Sequence, residues 1–404
     1  MNYKKQLAKE FLKEKSKGKK LIFPEQKYVG QQIVKSFQQK ILVTLCAPPQ
    51  WGKTGVSLFV SYKMSLHNTR DVFYLTGMSD KNWIEQTKER LLPSWKENVY
   101  HRNTLHIFLD RLEKLKDEKK DKNLLIIIDE CHIANKSDNL LSDLMKQLYD
   151  SNIKQLRKRN IKILQISATP SNALIDAELW EKYHQKITPI INTGYVSFQS
   201  FISKEKLKSP FELSDLSQVE RFMSYFNNFP NPRYHFVRAS SKGPSGKYNY
   251  YRIKANISLI CENKSYELIE MNGTIDKSIV NDIFKSLSKQ PKSHTIILIK
   301  DMLGAAKTID DTYIGCVHES TPEQKDFSSE VQGLPGRLCG WTKQRGNYSP
   351  IIFCNREIIE SYIRLYQNNF NFNDIEITSW KDSKVRINRK GEVVSKKSYL
   401  QLNE

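Results

Sequence analysis

The sequence predicts an α/β protein of two tandem domains, each a mostly parallel sheet with helices on both faces. Three observations predict it. Short, nearly unbroken apolar runs recur at 41–47, 71–76, 124–129 and 162–167. A parallel sheet covered on both faces needs such runs, because neither side of its strands meets water. Stretches with helical spacing lie among them, at 81–92 and 139–156, and strand–helix alternation builds doubly wound sheets. A second series follows residue 215, with strand patterns at 233–239, 266–271, 295–300, 313–317 and 349–355 and a helical pattern at 276–288.

Length agrees with this division, since 404 residues exceed what one core usually organises. Hydrophobic residues at 39% and aromatics at 11% supply enough apolar material for two cores. The expected boundaries are a basic N-terminal arm over 1–20, a first domain over 21–215, a second over 216–372 and a basic C-terminal tail over 373–404, with 190–215 as the join. The arm carries eight lysines against two glutamates and offers Leu7, Phe11 and Leu12 for one helical face. In the tail, 384–387 and 392–395 flank Asn388-Arg389-Lys390-Gly391 as a predicted hairpin.

Lys and Arg outnumber Asp and Glu by 64 to 44, a net charge of +20. Such a surplus repels itself unless a polyanion accompanies it. Nucleic acid is the expected partner, and an anionic membrane surface is the competing one. No run approaches the ~18 apolar residues of a membrane span, and no secretory signal is expected. Cys46, Cys131, Cys261, Cys316, Cys339 and Cys354 form no C-x-x-C pair. They read as free, apolar thiols in a reducing compartment, cytoplasmic or nuclear.

Residues 47–54 read Ala47-Pro48-Pro49-Gln50-Trp51-Gly52-Lys53-Thr54 between a strand and a helix expected to follow from Gly55. This is the phosphate-loop pattern with Ala in place of its first Gly. Successive backbone N–H groups turn inward in such a loop, and the following helix N-terminus adds positive potential. Pro49, Gln50, Trp51, Gly52, Lys53, Thr54 and Gly55 are therefore candidate nucleotide-binding residues. Lys53 reaches the β and γ phosphates, and the Thr54 hydroxyl is offered to Mg²⁺.

The run 124–129 ends in Asp129-Glu130-Cys131-His132. Ligands bind outside the carboxyl ends of central parallel strands. Asp129 is the candidate Mg²⁺ ligand, and Glu130 is the candidate base for an attacking water. Alone, the two acids read first as an ordinary solvated strand end and His132 as a hydrogen-bonded structural histidine. Together with the phosphate loop they read as an ATP site.

At this point the residues resemble the superfamily 2 helicase and translocase core. Motif I is the phosphate loop, motif II is Asp129-Glu130-Cys131-His132 in the DExH spelling, and motif III is Ser167-Ala168-Thr169. Gln31 or Gln32 lies where many members place an adenine-contacting glutamine. Tyr74-Leu75-Thr76-Gly77 resembles motif Ia, His235-Phe236-Val237-Arg238-Ala239 motif IV, and Gly304-Ala305-Ala306-Lys307-Thr308 motif V. Gln332-Gly333-Leu334-Pro335-Gly336-Arg337-Leu338-Cys339-Gly340 resembles motif VI. Its ending resembles members from large DNA viruses and phages.

The resemblance spans roughly residues 22–370 and implies two RecA-like domains. It implies ATP and Mg²⁺ as cofactors and a nucleic acid strand as partner, DNA slightly ahead of RNA. It implies catalytic roles for Lys53, Glu130, Gln332 and Arg337, and coupling or strand contacts for Thr76, His132, Ser167, Thr169 and Thr308. Motif VI departs from the family in two ways: it has one extra residue after Gln332, and its final arginine, the usual finger, falls on Gly340. Arg337 or Arg345 is left for that role. Two further readings follow: a nucleotide-dependent nucleic-acid-binding switch with weak turnover, and an ATPase subunit of a nuclease assembly. Trp51, Trp83 and Trp341 are candidates either for base stacking or for packing.

Overall fold

The computed structural model describes residues 3–16, 22–67, 71–78, 81–131, 153–170, 174, 181–239, 249–300, 309–319, 327–341, 349–371, 385–387 and 393–396. The chain divides into two compact units. The first comprises Met1–Pro48, Gly52–Ile190 and Asp382–Glu404, and the second Pro49–Trp51 and Ile191–Lys381.

Among the described residues the first unit contains helices α1 (Tyr3–Ser16), α2 (Pro24–Ser36), α3 (Lys53–His67), α4 (Lys81–Arg90) and α5 (Leu105–Asp117). Its sheet is formed by β1 (Leu42–Cys46), β2 (Asp71–Thr76), β3 (Val99–Tyr100), β4 (Leu124–Asp129), β5 (Lys162–Ser167) and β6 (His184–Ile187). The strand order is β3-β2-β4-β5-β1-β6, parallel throughout. Leu42, Val43, Leu45, Leu125, Ile126, Ile127, Ile163 and Leu164 are fully buried, as the unbroken apolar runs require. Burial of such side chains is the main source of the unit's stability, at ~25 cal/mol per Å² of apolar surface removed from water.

The second unit carries β7 (Leu207–Lys208), β8 (Tyr234–Ala239), β9 (Glu267–Met271), β10 (Thr295–Lys300), β11 (Ile314–His318) and β12 (Ile351–Phe353). The order is β7-β12-β11-β8-β10-β9, again parallel. Helices Asn249–Lys264, Lys277–Ser286 and Arg356–Gln367 accompany it. Asp276 caps the second of these, accepting from Ser278 N at 2.7 Å. The last is capped by Asn355, which accepts from Ile358 N at 3.2 Å. Two such sheets with their helices make tandem RecA-like α/β domains.

The strands absent from the sequence reading are short or polar. β3 and β7 are two residues each, and β6 reads His184-Gln185-Lys186-Ile187. The segment expected as a join carries helix Phe198–Ser203 and β7, which pairs with β12. The basic arm is a helix docked on the first unit: Leu7 is buried, and Phe11 stacks on Tyr62 of α3 at 4.6 Å. Leu12 faces solvent instead. Of the helical stretch at 139–156, Ile153–Lys158 lies among the described residues. The tail hairpin is present as β13 (Val385–Ile387) and β14 (Val393–Lys396), paired antiparallel. All six cysteines are free and buried.

Candidate active site

Register brings the motif residues of the first unit to one edge of its sheet. Thr76 pairs with Asp129, Asp129 with Ile166, and Cys46 with Ser167. The carboxyl ends of β2, β4, β5 and β1 are therefore level. Thr76-Gly77, Asp129-Glu130, Ser167-Ala168-Thr169 and the loop after Cys46 all leave the sheet from this edge. Ala47 N donates to Ser167 O at 3.2 Å, extending the β1–β5 ladder into the loop. Ser167 Oγ then accepts from Thr169 N at 3.0 Å, and Thr76 Oγ1 from Met78 N at 3.3 Å. Both hydroxyls hold the turns that carry their strands off the edge.

The loop is shaped by two left-handed residues, Gln50 (φ +57°) and Gly52 (φ +102°). Only glycine adopts the second without strain. Gly52 O receives the first helical hydrogen bond of α3, from Gly55 N at 2.9 Å, so the helix begins directly at Lys53. Lys53 Nζ donates to Pro48 O at 3.5 Å, which folds the ammonium back over the loop. Lys53, Thr54 and Gly55 are partly exposed at the start of α3.

A glutamine braces this loop. Gln26 Nε2 donates to Gly52 O at 3.0 Å, and Gln26 Oε1 accepts from Phe23 N at 2.8 Å. A Cβ at Gly52 would lie 2.1 Å from the Gln26 amide and one at Gly55 2.2 Å, so both glycines make room for it. Gln31 is exposed on α2; it stands five residues on, roughly 140° around the helix from Gln26. The glutamine against the loop is therefore Gln26. The helix-start pattern Phe23-Pro24-Glu25-Gln26, with Pro at the first turn and Gln at the third position, is the signal that marks it.

Both oxygens of Asp129 are held. Oδ1 accepts from Glu130 N at 3.0 Å and Oδ2 from Trp83 Nε1 at 3.0 Å. Trp83 is buried, so its indole is committed to this carboxylate rather than open for a base to stack on. Glu130 has φ +50° and is 8% exposed. Left-handed non-glycine backbone costs of order 1–3 kcal/mol and gathers at functional sites. Arg90 Nη1 donates to Thr54 Oγ1 at 3.3 Å. Burial raises the thiols of Cys46 and Cys131, which makes them inert packing groups rather than nucleophiles.

The donor set fits magnesium. Mg²⁺ takes one or two protein oxygens and completes its shell with phosphates and waters; Thr54 and Asp129 are of that kind. Among the described residues no group of three His, Cys, Asp or Glu gathers as a self-sufficient metal cage.

In the second unit Gln332 ends helix Phe327–Gln332, and Arg337 ends the short helix Leu334–Arg337 at 1% exposure. Glu319 organises the region: Oε1 pairs with Arg238 at 2.6 Å and Oε2 accepts from Leu334 N at 2.9 Å. A Cβ on Gly336 would meet Val331 O at 2.0 Å. Pro49–Trp51 group with this unit. Trp341 Nε1 donates to Trp51 O at 2.8 Å, and the Tyr195 hydroxyl donates to Pro49 O. Trp51 is buried against Trp341, ring centroids 6.1 Å apart. His132, Thr308 and Arg345 lie outside the described residues.

The chain is 25% identical over 351 residues to an uncharacterized protein of Acanthamoeba polyphaga mimivirus, covering 80% of this chain and 83% of that one. No family model matches it. Similar solved structures include S. cerevisiae Dbp5 bound to RNA and ADP BeF3, at 14% identity and TM-score 0.45, covering 88% of this chain and 93% of that chain. The NS3-like helicase from Alongshan virus is similar at 12% identity and TM-score 0.47, covering 78% and 74%.

Proposed function

We propose that the chain is a nucleic-acid-stimulated ATPase of the superfamily 2 helicase and translocase type. One observation carries the reading: a single sheet edge presents the loop of Lys53 and Thr54, the carboxylates of Asp129 and Glu130, and the turns at Ser167–Thr169 and Thr76. Lys53 holds the β and γ phosphates of ATP. Thr54 and Asp129 are the magnesium ligands, and the ion supplies charge neutralisation of the triphosphate. Glu130 orients water and takes its proton as the water oxygen bonds to the γ-phosphorus. The bond from that phosphorus to the bridging oxygen breaks, and its electron pair leaves with ADP. Gln26 steadies the loop. Gln332 and Arg337 keep the catalytic roles that the resemblance implies for motif VI, and loss of the γ-phosphate changes the grip on the strand.

The surplus of 20 positive charges suits a phosphate backbone and implies little sequence preference with strong salt dependence. No helix among the described residues is long and apolar enough to cross a membrane. Six free cysteines and the mimivirus relative suit action inside a host cell, in its cytoplasm or nucleus. Gly340, where the family's last arginine would stand, favours a second reading in which the chain is a nucleotide-dependent binding switch with low turnover.

The deciding measurement is ATP turnover against single- and double-stranded DNA and RNA. Turnover rising with one or more of these, and lost by about 10²-fold or more in Lys53→Ala, is the expected result. Nucleotide-dependent strand binding without turnover selects the switch. A chain whose ATP binding is unchanged by Lys53→Ala refutes both.

A further inference from the structure

Helix α4 contacts both candidate magnesium ligands of the first unit. One side of it carries Trp83, Thr87 and Arg90, at spacings of four and three residues, which align along a helix. Trp83 and Thr87 are buried at 4% and 6% exposure. Trp83 Nε1 bonds Asp129 Oδ2 at 3.0 Å, and two turns along, Arg90 Nη1 bonds Thr54 Oγ1 at 3.3 Å. The helix is thus pinned at one end by the carboxylate at the tip of β4. At its other end it holds a guanidinium against the hydroxyl that opens α3.

We infer that Arg90 is a phosphate-contacting arginine supplied in cis, which stabilises the charge that develops on the γ-phosphoryl group. The inference rests on the ATPase reading above. Arg90 is exposed and its hydroxyl contact is long, so the side chain exchanges that contact for a charged oxygen at small cost. A guanidinium binds phosphate oxygens through paired N–H groups, far more strongly than it binds a hydroxyl. The inference also answers the departure in motif VI. Gly340 stands where the family's finger arginine falls, and Arg337 is almost wholly buried. Arg90 stands at the start of α3, its Nη1 on Thr54 Oγ1 at 3.3 Å. Trp83 acts as a positioning residue: its bond to Asp129 sets where Arg90 reaches.

The test compares Arg90→Ala, Arg90→Gln and Arg90→Lys in the full chain. Turnover is measured with saturating single-stranded nucleic acid. Affinity for a fluorescent ADP analogue is measured separately with and without aluminium fluoride, a mimic of the transferring phosphoryl group. Arg90→Ala and Arg90→Gln are expected to lower kcat by ~10²–10³-fold, to leave ADP affinity within about threefold and to lose most of the tightening by aluminium fluoride. Arg90→Lys keeps the charge and retains part of each. Gln can still donate to Thr54, so recovery in Arg90→Gln would show a merely structural contact and overturn the inference. Unchanged tightening by aluminium fluoride in Arg90→Ala overturns it too. Parent protein that binds neither the ADP analogue nor ATP overturns the ATPase reading as well, and is distinguishable because no variant is then needed to see it.

Discussion

The Gln26 side-chain amide donates to the carbonyl oxygen of Gly52 at 3.0 Å, tying helix α2 to the turn that forms the candidate phosphate loop. The same side chain accepts from Phe23 N, so it is fixed at both ends. A single such bond is worth roughly 1 kcal/mol net. Gln26→Ala is therefore expected to weaken ATP binding about five- to tenfold by titration with a fluorescent analogue, while Gln31→Ala, at an exposed site, leaves it unchanged. Equal effects from the two variants would show that the brace does not shape the loop.

Glu130→Gln separates binding from chemistry. The amide keeps the size and the backbone bond from Glu130 N to Asp129 but cannot take a proton. ATP affinity is expected to stay within a few fold while turnover drops by about 10²–10⁴, the usual contribution of a general base. Normal turnover in this variant would move the base elsewhere.

Gly336 and Gly273 make a matched pair in the second unit. A methyl group at Gly336 would overlap Val331 O, a backbone atom that cannot swing aside, whereas Gly273 has open space around it. Gly336→Ala is expected to cost about 1–3 kcal/mol, as overpacking does, and to lower the Tm. Gly273→Ala should melt like the parent.

Buried and partly buried histidines set an acid limit on stability. Burial, aided by Lys186 and Lys40, holds His184 down to about 4, and burial does the same to His318. His235 is pushed well below its usual range by burial and then by His294 and Arg233. An unfolded histidine titrates near ~6.5. Between that pH and about 4 the unfolded chain binds protons that the folded chain refuses, so stability falls as pH falls through this window and is level above it. Each group contributes on the order of a few kcal/mol at most. Chemical denaturation at pH 7.5, 6 and 5 checks the slope. In His184→Gln, which can still donate to Thr44, the slope should be shallower.

Much of this was legible before any fold was known. The four apolar runs of the first domain are β1, β2, β4 and β5, and three of them begin and end where the pattern placed them. The candidate phosphate loop and the Asp129-Glu130 pair stand out in the sequence because the chemistry proposed for them asks for particular residue types at short range. The three weak strands were not, because two residues or a polar edge leave no period to read. The contacts that only the structure reveals at the site, made by Gln26, Trp83 and Arg90, reach partners that lie 26, 46 and 36 positions away.

The sequence by itself determined the two parallel sheets and the loop that begins α3. Continuous burial and backbone turning are local properties, written in apolar runs and in the glycine at position 52. Only the tertiary structure decided which glutamine braces that loop, which donor holds Asp129 and which arginine stands beside Thr54. Those pairings arise where separate helices pack onto one sheet edge. The sheet's register and each helix's rotation set them, and neither is encoded near the residues it joins.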